Sequence, residues 1–281
     1  MPGLAHTRVA AERGEPVSWI LFLHGIYGAG RNWSTVARRL VEQRPEWGGI
    51  LVDLRLHGAS AGFGAPHTVR ACAEDVAALI GRTGLSAEAV LGHSFGGKVA
   101  LELAGLNRAR LRQVWVVDST PGARPPGGEA VRMLEAVRGL RGTFEARSAA
   151  VESLQALGFS PSVAGWMTSN LERRGRGYAW RFDPDDMESL LRDFFRTDLW
   201  EVIESPPGSL EIHVVKARAS QVLDERGWKR LGEIARVNPR IVAHRLEGGH
   251  WLNADNPDAI VALLTDHLPR PSANAPGAKH V

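Results

Sequence analysis

The chain has 281 residues, 44% of them apolar, with 34 Lys and Arg against 31 Asp and Glu, a formal charge of +3 and one cysteine. That length suits one large domain or a domain carrying an insertion, and the apolar fraction is ample for a core. The lone Cys72 excludes an internal disulfide framework and a Cys-rich zinc site. Scattered Lys and Arg read as a solvated surface rather than a nucleic-acid footprint, and no run approaches the roughly 20 apolar residues of a membrane span.

The first 15 residues are polar and patternless and read as a lead-in; they hold no basic region followed by a long apolar core, which with the single thiol points to the cytoplasm. Positions 17–23 (VSWILFL) form a buried-strand run that ends at His24-Gly25. A helix at 32–43, a strand at 49–54 (GILVDL) and a helix at 68–80 follow. A short strand at 89–91 enters Gly92-His93-Ser94-Phe95-Gly96-Gly97, and 98–106 continues as helix. The β-rich run 111–117 (LRQVWVV) closes on Asp118-Ser119-Thr120-Pro121. Strands alternating with helices imply right-handed crossovers and a mostly parallel sheet flanked by helices.

The alternation stops from 125 to 204, which reads as helical without a strand and clusters Trp166, Met167, Trp180, Phe194, Phe195 and Trp200. It resumes with a strand at 210–215, a helix at 224–237, a strand at 241–246 and a last helix that Asn256 can cap, with Pro257 in its first turn. Such an interruption implies an α/β core over 1–120 and 206–268 with a helical insertion over 121–205. Residues 269–281, rich in Pro, Ala and Gly, read as a mobile tail.

Gly92-His93-Ser94-Phe95-Gly96 matches G-x-S-x-G, in which a serine sits on a tight strand-to-helix turn with its hydroxyl exposed above the sheet. A helix N-terminus behind it offers amide donors to a developing oxyanion. The same stretch through Lys98 fits G-x-x-x-x-G-K, but Val99 stands where a phosphate loop needs Ser or Thr for magnesium.

A serine hydroxyl needs a base, and His250 in Glu247-Gly248-Gly249-His250-Trp251 lies just after the last strand, where loops converge on the active rim. His93 and His57 read as structural, while His24 either fixes the loop that follows it or touches a ligand. For the orienting acid, Asp118 ends the strand neighbouring the serine's; Asp224 at a helix start and an absent or water-replaced acid are the alternatives. The turn Lys216-Ala217-Arg218-Ala219-Ser220 carries no acid. In His24-Gly25-Ile26-Tyr27-Gly28-Ala29-Gly30 a backbone N–H can turn toward a substrate carbonyl; the expected donors are the amides of Ile26 and Phe95, with Tyr27 and His24 beside them.

On the stretches HGIYGAGRNW, VDLRLHGAS, GHSFGGKVA, VVDSTP and GGHWLNADNPDAI, the chain resembles the α/β-hydrolases, in particular the YbfF-type bacterial esterases and their mitochondrial abhydrolase-domain relatives. The resemblance implies a helical cap inserted after strand 6, a nucleophile at Ser94, a base at His250 and an acid at Asp118. It also implies oxyanion amides at Ile26 and Phe95 and activity on carboxylic esters or thioesters. The expected reaction is acyl transfer to water on a small-molecule substrate, with no metal or organic cofactor required. Carbon–carbon bond hydrolysis, acyl transfer to another acceptor and ligand binding without turnover are the alternatives. The apolar residues of the insertion would line an acyl pocket or simply pack it onto the core.

Overall fold

Alternation of side chains builds a sheet buried on both faces, seen in a computed structural model that describes residues 2–270 apart from 108. Along the chain, β1 (His6–Val9), β2 (Ser18–Leu23), α1 (Ser34–Gln43), β3 (Trp47–Val52), α2 (Val69–Thr83), β4 (Ala87–His93), α3 (Phe95–Leu106) and β5 (Gln113–Val117) come first. Between β5 and the next sheet strand lie α4 (Glu129–Gly139), α5 (Arg147–Ala156), α6 (Pro161–Met167), β6 (Leu171–Arg174), β7 (Gly177–Trp180), α7 (Pro184–Arg196) and α8 (Trp200–Glu204). The chain then returns through β8 (Glu211–Ala217), α9 (Glu225–Val237), β9 (Ile241–Leu246), α10 (Leu252–Asp255) and α11 (Pro257–His267).

The seven-stranded sheet has the order β1-β3-β2-β4-β5-β8-β9, with β1 antiparallel to β3 and the other pairs parallel. In β2, Trp19, Leu21 and Leu23 face one apolar cluster and Ile20 and Phe22 the other; in β5, Val114 and Val116 oppose Trp115 and Val117 in the same way. This period of two, with both faces apolar, is why the strand runs read as continuous hydrophobic stretches. Capping fixes the helix starts: Thr68 accepts from the Ala71 amide, Asp224 from Gly227 and Asn256 from Ala259.

Two expectations are corrected. The lead-in contains a strand, β1, whose exposed residues show no apolar alternation and which pairs through its backbone with the edge of β3. The insertion is not free of strands: β6 and β7 form an antiparallel hairpin turning at Gly175 (φ 59). Its charged LERR half hides the pattern. The insertion follows β5 and Asp118, the position that the resemblance counts as the family's sixth strand and that is the fifth strand of this chain. The tail expected over 269–281 lies, beyond Arg270, outside the described residues.

The inserted segment has no core of its own. Met133, Leu190, Phe194 and Trp200 belong to the same cluster as Leu21 and Val99. Its ends are held by Lys98 of α3, which is fully buried and donates to the carbonyls of Gly122 (2.9 Å), Phe194 (2.7 Å) and Thr197 (2.7 Å). An ammonium at the C-terminal end of α7 also meets the negative end of its dipole. The lysine that a phosphate loop would need is thus turned into the protein. Lys98→Met leaves three buried carbonyls without a donor and is expected to lower unfolding free energy by about 3 kcal/mol, measured by urea denaturation.

Candidate active site

Ser94 alone makes the turn from β4 to α3, with φ 52 and ψ −116. Strain of this kind is tolerated where the surrounding structure enforces it. Two glycines permit the turn: a Cβ on Gly92 would lie 2.0 Å from the Gly96 carbonyl oxygen, and one on Gly96 would lie 2.6 Å from those of Leu23 and His24. The sequence pattern G-x-S-x-G is therefore a packing requirement here.

Three distant segments meet at this rim. His250 Nε2 lies 3.1 Å from Ser94 Oγ, and His250 Nδ1 lies 2.7 Å from Asp118 Oδ2. Asp118 is fully buried and follows β5 with a φ of 42. Burial pushes its carboxyl up, but hydrogen bonds from His250, Ser220 and the Ala217 amide outweigh that and hold it below the usual carboxylate range. The Ala217 N–H reaches Oδ1 at 3.1 Å. Asp224, the alternative acid, spends its carboxylate on the Gly227 amide at 2.7 Å.

The other histidines set positions. His93 Nε2–H donates to the His250 carbonyl at 2.7 Å, which holds the His250 backbone behind Ser94. His57 donates from Nδ1 to the Arg55 carbonyl (2.8 Å) and accepts the Tyr27 N–H at Nε2 (3.0 Å). His24 donates from Nδ1 to the Gly25 carbonyl (2.7 Å) and accepts the Leu54 N–H at Nε2 (3.0 Å). With both ring nitrogens engaged and the side chain buried, His24 does not line the cavity, so the expectation of a ligand contact is corrected to one of fixing the loop.

These rings titrate far from their ordinary range. Burial pulls His24 from 6.5 to about 4, His57 to about 3 and, in β8 away from the rim, the buried His213 to about 3. Above pH 6.5 folded and unfolded chains agree in leaving them neutral, whereas below it only the unfolded chain binds the protons. Stability is therefore full above pH 6.5 and lost as pH falls toward 4, by about 1.4 kcal/mol per pH unit per imidazole. Thermal unfolding is expected to show a Tm that falls steeply from pH 6.5 to 5; a flat profile would contradict it.

The loop after β2 lies against the serine, since a Cβ on Gly25 would sit 3.3 Å from Ser94 Cβ. Ile26 and Phe95 line the cavity beside it. Tyr27 (φ 60) also lines it, but its N–H is taken by His57 and its hydroxyl donates to the Ala130 carbonyl of α4 at 2.8 Å. The Asn170 side chain donates to the Tyr27 carbonyl at 2.8 Å, so the insertion grips this loop twice.

A cavity of about 420 Å³, of a size that suits a small ligand, lies between this rim and the insertion. Trp166, Phe194 and Phe195 line it, whereas Met167, Trp180 and Trp200 pack into the core, so the apolar cluster read from the sequence divides between the two roles. Trp251 closes the wall next to His250, edge-on to Trp166 at 4.6 Å. Sequence reasoning misses Ser220 behind Asp118, because a hydroxyl in a turn that holds no acid carries no signal of its own. It also misses Trp251, which only its place after the histidine could have flagged.

A model of the alpha/beta hydrolase family matches residues 20–263, nearly the whole of the described sheet and the insertion. The chain belongs to the alpha/beta hydrolase family. Among its relatives is the sn-1-specific diacylglycerol lipase ABHD11 of Mus musculus, 24% identical over 259 residues that cover 89% of this chain and 80% of that protein. Lipase LipV of Mycobacterium tuberculosis is 25% identical, covering 89% of this chain and 92% of that one. A solved marine microorganism esterase superposes with a TM-score of 0.80 at 22% identity, over 95% of this chain and all of the other, a likeness of fold. No helix among the described residues of this hydrolase is long and apolar enough to cross a membrane.

Proposed function

We propose that this alpha/beta hydrolase cleaves carboxylic esters or thioesters through an acyl-enzyme on Ser94. The observation that carries the reading is the continuous line from Ser94 Oγ through the His250 ring to Asp118, at 3.1 and 2.7 Å. Ser94 Oγ attacks the acyl carbon while His250 Nε2 takes its proton. Asp118, ionised and acting through Nδ1–H, holds the imidazole in the tautomer that leaves Nε2 free to accept and offsets the charge of the imidazolium. The amides of Ile26 and Phe95 stabilise the oxyanion, and Phe95 opens α3, so the positive end of that helix adds to them. Collapse expels the alcohol or thiol, which takes the proton from His250. A water, deprotonated by the same nitrogen, then releases the acid and restores Ser94.

In this reading residues 121–205 act as a cap whose aromatic residues hold the acyl group, a role supported by Trp166 and Phe194 lining the cavity. Residues 1–120 and 206–268 form the core beneath. A cytoplasmic location is part of the same reading and is supported by the single, buried Cys72. A panel of p-nitrophenyl esters and matching acyl thioesters of increasing chain length tests it. Release of free acid with burst kinetics is expected, and no release from any member would overturn it.

A further inference from the structure

The wall of the cavity carries a positive charge that hydrolysis of a neutral ester does not use. Arg124 lies six residues beyond Asp118 and lines the cavity with Leu191, Phe194 and Phe195. Its N–H donates to the Phe195 carbonyl at 2.9 Å, and its guanidinium stands over the Phe195 ring at 5.3 Å and the Phe194 ring at 6.0 Å. Stacking on an aromatic face fixes the plane of a guanidinium and leaves its in-plane N–H donors to find acceptors at the edge.

Those donors have none. Among the described residues no carboxylate forms an ion pair with Arg124, its side chain donates no hydrogen bond, and Nε is shut off from water without a partner. Burial lowers the guanidinium's pKa and Asp224, at longer range, raises it; it stays charged. Two other arginines that stand over aromatic rings are paired with carboxylates. Arg132 over Phe159 reaches Glu129 at 3.2 Å, and Arg230 over Trp200 reaches Glu204 at 2.6 Å.

The surroundings do not neutralise it. Lys98 approaches the same Phe194 ring to 4.6 Å and bonds only to carbonyls, so a second cation backs the wall. The carboxylates of Asp193 and Asp198 face the Val69 and Ala123 amides, at 2.7 and 3.2 Å. Glu129 lines the cavity, but its side chain is 74% exposed and paired with Arg132. A half-buried, oriented guanidinium whose Nε is shut off from water without a partner is costly unless a ligand completes it.

We propose that Arg124 is a specificity residue and that the substrate is an ester or thioester bearing a carboxylate, held bidentately by this guanidinium while the acyl carbon meets Ser94. The inference rests on the ester-hydrolase reading. A carboxylate matches the planar fork of donors, and the apolar wall between the two ends suits the chain that links them.

The test compares mono-p-nitrophenyl octanedioate with p-nitrophenyl octanoate, which differ at the far end of the chain. Wild type is expected to favour the anionic ester by about tenfold or more in kcat/KM, with the ratio falling toward one in Arg124→Gln through KM. Arg124→Lys is expected to recover only part of the ratio, because an ammonium lacks the fork. An equal ratio in wild type and Arg124→Gln, or a loss of both substrates by the same factor, would overturn the proposal while the ester-hydrolase reading stands. If neither ester is cleaved, the wider ester and thioester panel decides that reading. Calorimetry of octanedioate with wild type and Arg124→Gln then still decides on Arg124: binding about tenfold weaker in the variant supports it, and equal binding overturns it.

Discussion

Ser94→Ala is expected to reduce kcat by about six orders of magnitude on any ester the wild type cleaves, with KM little changed. In the proposed mechanism the hydroxyl is the only group that forms the acyl bond, whereas the loop at Gly25 and the cavity wall, which would bind substrate, do not depend on it. Alanine carries the same Cβ as serine, so the φ of 52 at this turn costs the variant no more than the wild type. Kinetics beside a thermal melt separates the two effects: activity is lost and Tm is kept. A variant that retains a hundredth of wild-type activity would require a different nucleophile.

Asp118→Asn is expected to lower kcat by about four orders of magnitude while leaving the fold intact. The asparagine is neutral, and its amide cannot both accept from His250 Nδ1–H and keep the bonds that Asp118 takes from the Ala217 amide and Ser220. An amide N–H turned toward Nδ1 would select the wrong tautomer and block Nε2 as a base. Asp224→Asn serves as the control and is expected to stay near wild-type activity, because its carboxylate caps α9 and an asparagine caps almost as well. The reverse pattern would move the orienting acid to Asp224.

The elements that position this rim were legible because each carries a physical signature within a short stretch. β2 is apolar on both faces, β4 enters the serine turn between obligatory glycines, and β9 runs from Ile241 to Leu246, as its alternation predicts. Ser94, His250 and Asp118 could be picked from strand ends because loops there converge in a parallel sheet. What stayed hidden depends on contacts rather than pattern. β1 has no apolar face, and its order comes from the β3 backbone. The β6–β7 hairpin is masked by arginines on its first strand. The duties of His24 and His57 could not be read either, since each ring joins backbone groups whose separation in space, not in sequence, decides the bond. Lys98 reads in sequence as part of an incomplete phosphate loop, and only the fold brings its three carbonyl acceptors together.

The insertion shapes the site as much as the sheet does. Tyr27 is held from α4 by its hydroxyl and from Asn170 by its carbonyl, so the loop carrying Ile26 is set by the segment above it. In the proposed mechanism substrate selection and oxyanion geometry therefore share a support, and substitutions in this segment should alter kcat as well as KM.

Mass spectrometry of the intact and digested protein after brief treatment with a fluorophosphonate addresses the central claim most directly. A single phosphonyl adduct on the peptide containing Ser94, absent in Ser94→Ala and slowed by orders of magnitude in Asp118→Asn, is the result this account requires. An adduct elsewhere, or wild-type protein left unlabelled while it still cleaves esters, would contradict it.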